Sequence, residues 1–380
     1  MMRQKSKPYM VDTTHHLLGT GLKAIVPLIV ILLIAGCAGT PDGNKPDPIA
    51  FPAPPDPPRY FYERTIFGTG AVKVADKISR LKNILTGANQ RDGYSFAKPF
   101  DIAVHHGRVF ISDTVHRVVF ALDFVSGESI TIGDSGDGSD LFKPLGVATD
   151  DQGNLYVCDI QLKKLMLYDR DGNWRHAIDL SAEMDRPSGV EVSADGSTVF
   201  VVDIGGINSE RHRVAVYDTR TRTHLRTLGS RGTADGEFNL PRDVAIGQDD
   251  HLYVTDGGNF RVQVLEQQGS PIRTWGSAGR HLGQFTRPKG IASDSDGNIY
   301  VVDAAFGNFQ IFTPEGELLL YLGQRSETAG PAKYMLPAGI DVDEDGRVYV
   351  VDQFFRKVEI FRPAALAEGE GFSGLAKAGD

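Results

Sequence analysis

Cysteine is nearly absent from this chain. Its 380 residues hold two, Cys37 and Cys158. One closes an N-terminal export-like segment and the other sits in an apolar strand pattern, so no disulfide framework staples the fold. A long apolar run is missing too. The run Ala24 to Gly36 has 13 residues and contains Pro27, well short of the roughly 20 that a membrane-spanning helix needs. Basic charge is in deficit, with 40 Lys and Arg against 49 Asp and Glu. An acidic body is a poor match for a phosphate backbone, which argues against a nucleic-acid partner. Motifs for common chemistries are also lacking. There is no Ser-His-Asp set with a nucleophile elbow, no phosphate-binding loop and no Cys-x-x-Cys-His haem site.

Glycine, in contrast, is abundant at 43 residues, as short strands and tight turns require. The N-terminus carries Arg3, Lys5, Lys7 and Lys23 ahead of the apolar run, which ends Ile34-Ala35-Gly36-Cys37. A basic region, an apolar stretch and small residues at the end read as a signal peptide over 1–36. The ending resembles the lipobox of bacterial lipoproteins, a family in which the cysteine is diacylated and becomes the mature N-terminus. This implies lipidation at Cys37. Loss of 1–36 removes four basic residues and Asp12, taking the net charge from −9 to −12. Ala38 follows the cysteine where aspartate would resemble an inner-membrane retention signal, so the expected location is the outer membrane of a Gram-negative cell. Eight prolines in the 22 residues 38–59 predict that 37–59 is an extended stalk, on the order of 60 Å long. The tail 363–380, rich in Ala, Gly and Glu, is expected to be disordered.

Between these ends lie six internal repeats. Each runs from a proline through a few apolar residues and a turn to a second apolar run closed by aspartate. The pairs are Pro99 with Asp113, Pro144 with Asp159, Pro187 with Asp203, Pro241 with Asp256, Pro288 with Asp303, and Pro337 with Asp352. Each unit reads as four short strands, a to d, with strand b apolar on both faces and hence buried on both. Four strands repeated every 40 to 50 residues predict an all-β, six-bladed propeller over 60–362. The last repeat lacks strand d. Arg64-Thr65-Ile66-Phe67-Gly68 matches the strand-d endings Arg226-Thr227-Leu228-Gly229 and Arg273-Thr274-Trp275-Gly276. The N-terminal strand is therefore expected to close the ring against Val358 to Phe361, leaving no sheet edge exposed.

The pattern resembles the NHL repeat family, most clearly at Asp256 to Val264 and Gly283 to Ile291. That family includes enzymes, RNA-binding domains, sensor ectodomains and scaffolds, so the resemblance implies a fold more than a function.

In such a blade the d–a and b–c loops share one face, here called the upper face. Sequence variation concentrates there: an insertion at 71–91 with Val74, Ile78, Leu81 and Leu85 near helical spacing, a long b–c loop from Ile204 to His212, and a long loop from Gln324 to Met335. The residue after each repeat proline, Phe100, Leu145, Ser188, Arg242, Lys289 or Ala338, is expected to face the channel mouth. The b–c loops add His116, Arg117, His212, Arg213, Asn259, Arg261, Phe306, Asn308, Phe354, Phe355 and Lys357. For Arg117, Arg213, Arg261 and Lys357 the resemblance implies a structural pairing with the blade aspartate.

One lyase of this fold class holds zinc with three upper-face histidines, and similar lyases place a histidine directly after the repeat proline. No histidine stands there in this chain, so no metal cofactor is expected at such a site. Asp134, Asp137 and Asp140, in a glycine-rich upper-face loop, are a weak calcium candidate. The turns beginning at Asp294 and Asp343 lack the full spacing of a calcium loop and read as hairpin turns. Two functions remain open: a non-catalytic module binding an envelope protein or peptide, and a metal-dependent lyase or hydrolase. A small-anion sensor, with Arg242, Lys289 and Arg261 converging on one carboxylate, competes with the first.

Overall fold

A strand that is apolar on both faces is buried only if a sheet covers each face. The structure, a computed structural model describing residues 47–72 and 93–373, meets that demand six times. Blade one comprises Pro99–His105, Arg108–Asp113, Val118–Asp123 and Ser129–Ile132, and blades two to five repeat this antiparallel order. Strand a of each blade contacts strand a of the next, and that of blade six returns to that of blade one. Six separate apolar clusters fill the spaces between successive blades. The core is six radial wedges, and the axis is left to polar side chains. Cys158 lies within one wedge, wholly buried, in keeping with a packing role.

The ring closes as its sequence requires. Tyr60–Ile66 pairs antiparallel with Lys357–Pro363, with Ile66 opposite Val358 and Thr65 opposite Glu359. Two expectations about the flanks need correction. The proline-rich stretch is not a free stalk throughout, because Ala50–Phe51 forms a fifth strand outside Tyr60–Ile66. The Phe51 ring meets Phe361 edge-on at 5.6 Å. Proline is tolerated on an edge strand, where its missing N–H faces outward, so a proline count alone does not exclude pairing.

The C-terminal segment is likewise docked as far as Ser373, which is wholly buried and whose carbonyl accepts a bond from Arg64 at 2.5 Å. Composition concealed this because the anchoring is done from the other side, by arginines of the ring. The export segment, Cys37 and the proposed helix of Val74, Ile78, Leu81 and Leu85 lie outside the described residues. No helix among the described residues is long and apolar enough to cross a membrane.

Candidate functional site

The repeat proline and aspartate build the channel mouth together. In all six blades they stand opposite one another, and the register then slips before the third residue after the proline. Proline offers no N–H to the ladder, and a bulge there re-aims the next two residues. The aspartate holds the arrangement. Asp113 Oδ2 accepts from the amides of Ala97 (2.7 Å) and Lys98 (3.0 Å), and its Oδ1 from those of Val115 and His116. All six repeat aspartates are wholly buried. They are clasps between loops.

The re-aimed residues enclose a cavity of about 200 Å³ at the upper end of the channel. Of the residues directly after the prolines, Phe100, Ser188, Arg242, Lys289 and Ala338 line it, as their sequence positions indicate; Leu145 is buried elsewhere. The next position supplies Asp101, Gly146, Gly189, Asp243, Gly290 and Gly339. Glycine is needed there because a Cβ on Gly146 would lie 2.4 Å from the Ser188 carbonyl, and one on Gly290 2.5 Å from that of Ala338. Arg287, Ile204 and Gln353 complete the wall.

Blades one and four, opposite each other in the ring, break the glycine rule with Asp101 and Asp243. Blades three and six, also opposite, carry Glu191 and Asp341 two residues further on, where the other four blades have alanine. All four line the channel below the mouth, in a second cavity of about 170 Å³. They serve as acceptors for amides of the inner strands. Asp101 accepts from Val147 (3.0 Å), Asp341 from Val104 (2.7 Å) and Asp243 from Ile291 (3.2 Å). Desolvation inside the ring pushes Asp101 up to about 7 and Glu191 up to about 8, and holds Asp243 and Asp341 well above the usual carboxylate range.

The same two blades share another device. Ser112 Oγ accepts from the Asp101 amide and donates to Leu145 O; Thr255 Oγ1 accepts from the Asp243 amide and donates to Lys289 O. The acids escaped the sequence reading, although a legible signal existed: aspartate and a strand-b hydroxyl occur together in blades one and four.

Above the acids the mouth is cationic. Desolvation, together with Arg287 and then Arg242, lowers Lys289 to about 7. Desolvation also lowers Arg242, with Arg287 and Arg186 nearby. The side chains of Arg242, Arg287 and Lys289 form no hydrogen bond or ion pair with any described residue. The Nε2 of Gln353, a buried side chain of the same wall, also has no acceptor.

The remaining candidates do not converge on this cavity. Arg261 is committed to Asp256 at 2.8 Å, as the resemblance implied, and Asn259 bonds the same carboxylate. Lys357 instead pairs with Glu359 at 2.5 Å, and Arg213 with Glu183. Arg117 stacks over the Phe142 ring. His212 is buried, receiving the Leu240 amide on Nδ1 and therefore donating from Nε2 to the Gly206 carbonyl. His116 Nε2 contacts Ser95 O. Asn308 is buried with its Oδ1 unpartnered, Phe306 is half-buried and Phe354 is exposed.

Asp137 and Asp140 accept from Ser139 and Gly136 within their own loop. Asp294 likewise closes its hairpin turn, where Gly297 takes φ 86°. Among the described residues, three metal-capable ligand atoms gather only at His105, His106 and Glu344, within 4.8 Å of one another on the lower face.

Comparison with known proteins agrees with this architecture. The NHL repeat family matches residues 238–265 and 285–313. A structural-genomics protein of unknown function from Bacteroides thetaiotaomicron is 17% identical, with a TM-score of 0.58 over 80% of this chain and 76% of that one. A gluconolactonase from Xanthomonas campestris is 16% identical, with a TM-score of 0.54 over 70% and 86%. A virginiamycin B lyase from Staphylococcus aureus is 13% identical, with a TM-score of 0.51 over 79% and 98%. At such identities these likenesses concern the fold alone. Repeats, ring and family match agree: the chain is a six-bladed β-propeller that carries NHL repeats at 238–265 and 285–313.

Proposed function

We propose that this chain is a non-catalytic binding module of the cell envelope, anchored through lipid on Cys37, and that its upper face docks a protein or peptide partner. The observation that carries this reading is the placement of exposed apolar side chains. Tyr94, Val115, Phe142, Ile207, Leu282 and Phe354 are all exposed, and all stand in d–a or b–c loops. The cationic mouth, with Arg242 and Lys289 at the starts of their strands, opens on the same face. Exposed aromatic and aliphatic groups beside arginines are characteristic of protein-recognition surfaces.

Affinity capture from an envelope extract tests the docking, with captured proteins identified by mass spectrometry. The Ile207→Ser/Phe354→Ser variant should lose a specific partner that a lower-face Val125→Ser variant retains. Equal capture by both would place the docking surface elsewhere. Fractionation tests the anchor: a Cys37→Ser variant should leave the membrane fraction, and its retention there would refute lipidation at that residue.

A further inference from the structure

We propose that the channel mouth is a binding site for a single carboxylate group. Three residues of neighbouring blades, Arg242, Arg287 and Lys289, wall the cavity with cationic side chains. None of the three side chains forms an ion pair or a hydrogen bond among the described residues, although the charge of Asp352 acts on Lys289. Elsewhere in the ring several enclosed cations are matched, Arg261 by Asp256, Lys357 by Glu359 and Arg347 by Glu63, whereas Arg64 meets the Ser373 carbonyl and the Phe124 ring. Arg287 is exposed, but Arg242 and Lys289 are half-buried, and like charges held partly out of bulk water are costly unless an anion joins them. Gln353, from the adjoining sixth blade, adds a buried amide N–H with no acceptor. A carboxylate offers two acceptor oxygens in one plane, which suits a guanidinium fork and an amide donor together.

The floor and the size narrow the choice. Asp101 and Asp243 form the floor beneath the cations, so wherever these acids ionise a dianion such as phosphate would be repelled at close range. A monoanion meets the cations with less opposition. The volume of about 200 Å³ admits a small acid or one side-chain group, given that a cavity of about 150 Å³ holds a benzene molecule. Phe100, Ile204 and Ala338 supply an apolar wall for the carbon attached to the carboxylate. The carboxylate has two possible sources: a free small acid, or the end of a docked peptide.

Equilibrium dialysis on the full chain in detergent tests the site. The probes are benzoate, acetate, inorganic phosphate, and a short peptide as the free C-terminal acid and as the amide. Carboxylates should bind, with phosphate weaker. Arg242→Gln and Lys289→Met should each weaken binding about tenfold or more, and Gln353→Glu should abolish it by charge repulsion. Arg175→Gln, on the outer strand of blade two, should bind like the wild type. Circular dichroism melts confirm that each variant is folded. Binding of benzoate without the peptide acid identifies a free small acid as the occupant. Peptide acid binding above its amide identifies a chain terminus. No carboxylate binding, tighter phosphate binding, or undiminished binding in Arg242→Gln and Lys289→Met would overturn the proposal. None of these outcomes depends on the docking of a partner by Ile207 and Phe354.

Discussion

Arg347 Nε donates to Glu63 Oε2 at 2.8 Å across 284 residues of chain. The Arg347 side chain is wholly buried and also binds Asp345 Oδ2 at 3.2 Å and the Glu370 carbonyl. The closing strand, the sixth blade and the C-terminal segment therefore meet on one guanidinium. Removing a partner from a buried pair costs about 3–5 kcal/mol, since the remaining charge is left uncompensated. Arg347→Met should destabilise the fold by an amount of that order in denaturant unfolding. Glu63→Gln, which keeps an acceptor, should cost less. Additive effects in the double variant would show that the pair is not coupled.

Truncation separates the two N-terminal strands. Removing residues up to 59 deletes Ala50–Phe51 and the Phe51 contact with Phe361, but leaves Tyr60–Ile66 closing the ring. That variant should remain soluble with a modestly lowered melting temperature. Removing residues up to 66 exposes the whole edge of Lys357–Pro363, and an unpaired edge invites aggregation. Insoluble expression or loss of a cooperative transition is expected. Identical behaviour of the two truncations would mean that the pairing does not close the fold.

The fold was legible because its signals are local and repeated. Each blade announces itself through Pro, an apolar strand b and Asp, and Arg64 to Gly68 betrays the missing strand by likeness to strand-d endings. Two errors at the flanks share one cause. The Phe51 ring and Ser373 meet partners far away in sequence, Phe361 and Arg64, although Ala50–Phe51 also pairs with the nearby Tyr60 and Phe61. Composition of the segment itself carries no trace of them.

The site was half legible. The position after the repeat proline points to Phe100, Arg242 and Lys289, which line the cavity at the mouth. Arg261 stood out equally in sequence, yet it serves Asp256, because a residue opening strand c lies beside the clasp and away from the axis. Gln353 was missed. Nothing distinguishes a glutamine after strand b until the ring brings it beside Lys289.

The channel acids make stability depend on pH. Unfolded carboxyls titrate near 4, whereas Asp101 titrates at about 7 and Glu191 at about 8 in the ring. Below pH 4 both states hold the protons and the groups have no effect. Between pH 4 and about 8 the folded state binds more protons than the unfolded state, so each rise in pH removes stability. Above that range the penalty is complete and constant. Melting temperature should therefore fall from pH 5 to pH 8.5. Asp101→Asn/Glu191→Gln keeps acceptors for the Val147 and Val192 amides and removes two of the titrations. It should melt several degrees above the wild type at pH 8.5, at about 2–4 °C per kcal/mol, and near it at pH 5. A variant no more stable than wild type at the higher pH would show that the acids carry no such penalty.

Carboxylate binding at the mouth should strengthen as pH falls through neutrality. Lys289 is surrounded by Arg242, Arg287 and Lys98, with Asp352 opposing them, and titrates at about 7. Above that value it is largely neutral and offers an anion little. A bound carboxylate favours the charged ammonium, so binding takes up a proton, and affinity rises with acidity by linkage. Protonation of Asp101 on the cavity floor, also at about 7, works in the same direction by removing a repelling charge. Two substitutions distinguish the contributions. Lys289→Arg keeps a positive charge across the range, because guanidinium does not lose its proton near neutrality, and should flatten the dependence of benzoate affinity between pH 6 and 8.5. Asp101→Asn should retain the Lys289 step. If Lys289→Arg preserves the full pH dependence and Asp101→Asn removes it, the floor acid and not the lysine sets the affinity.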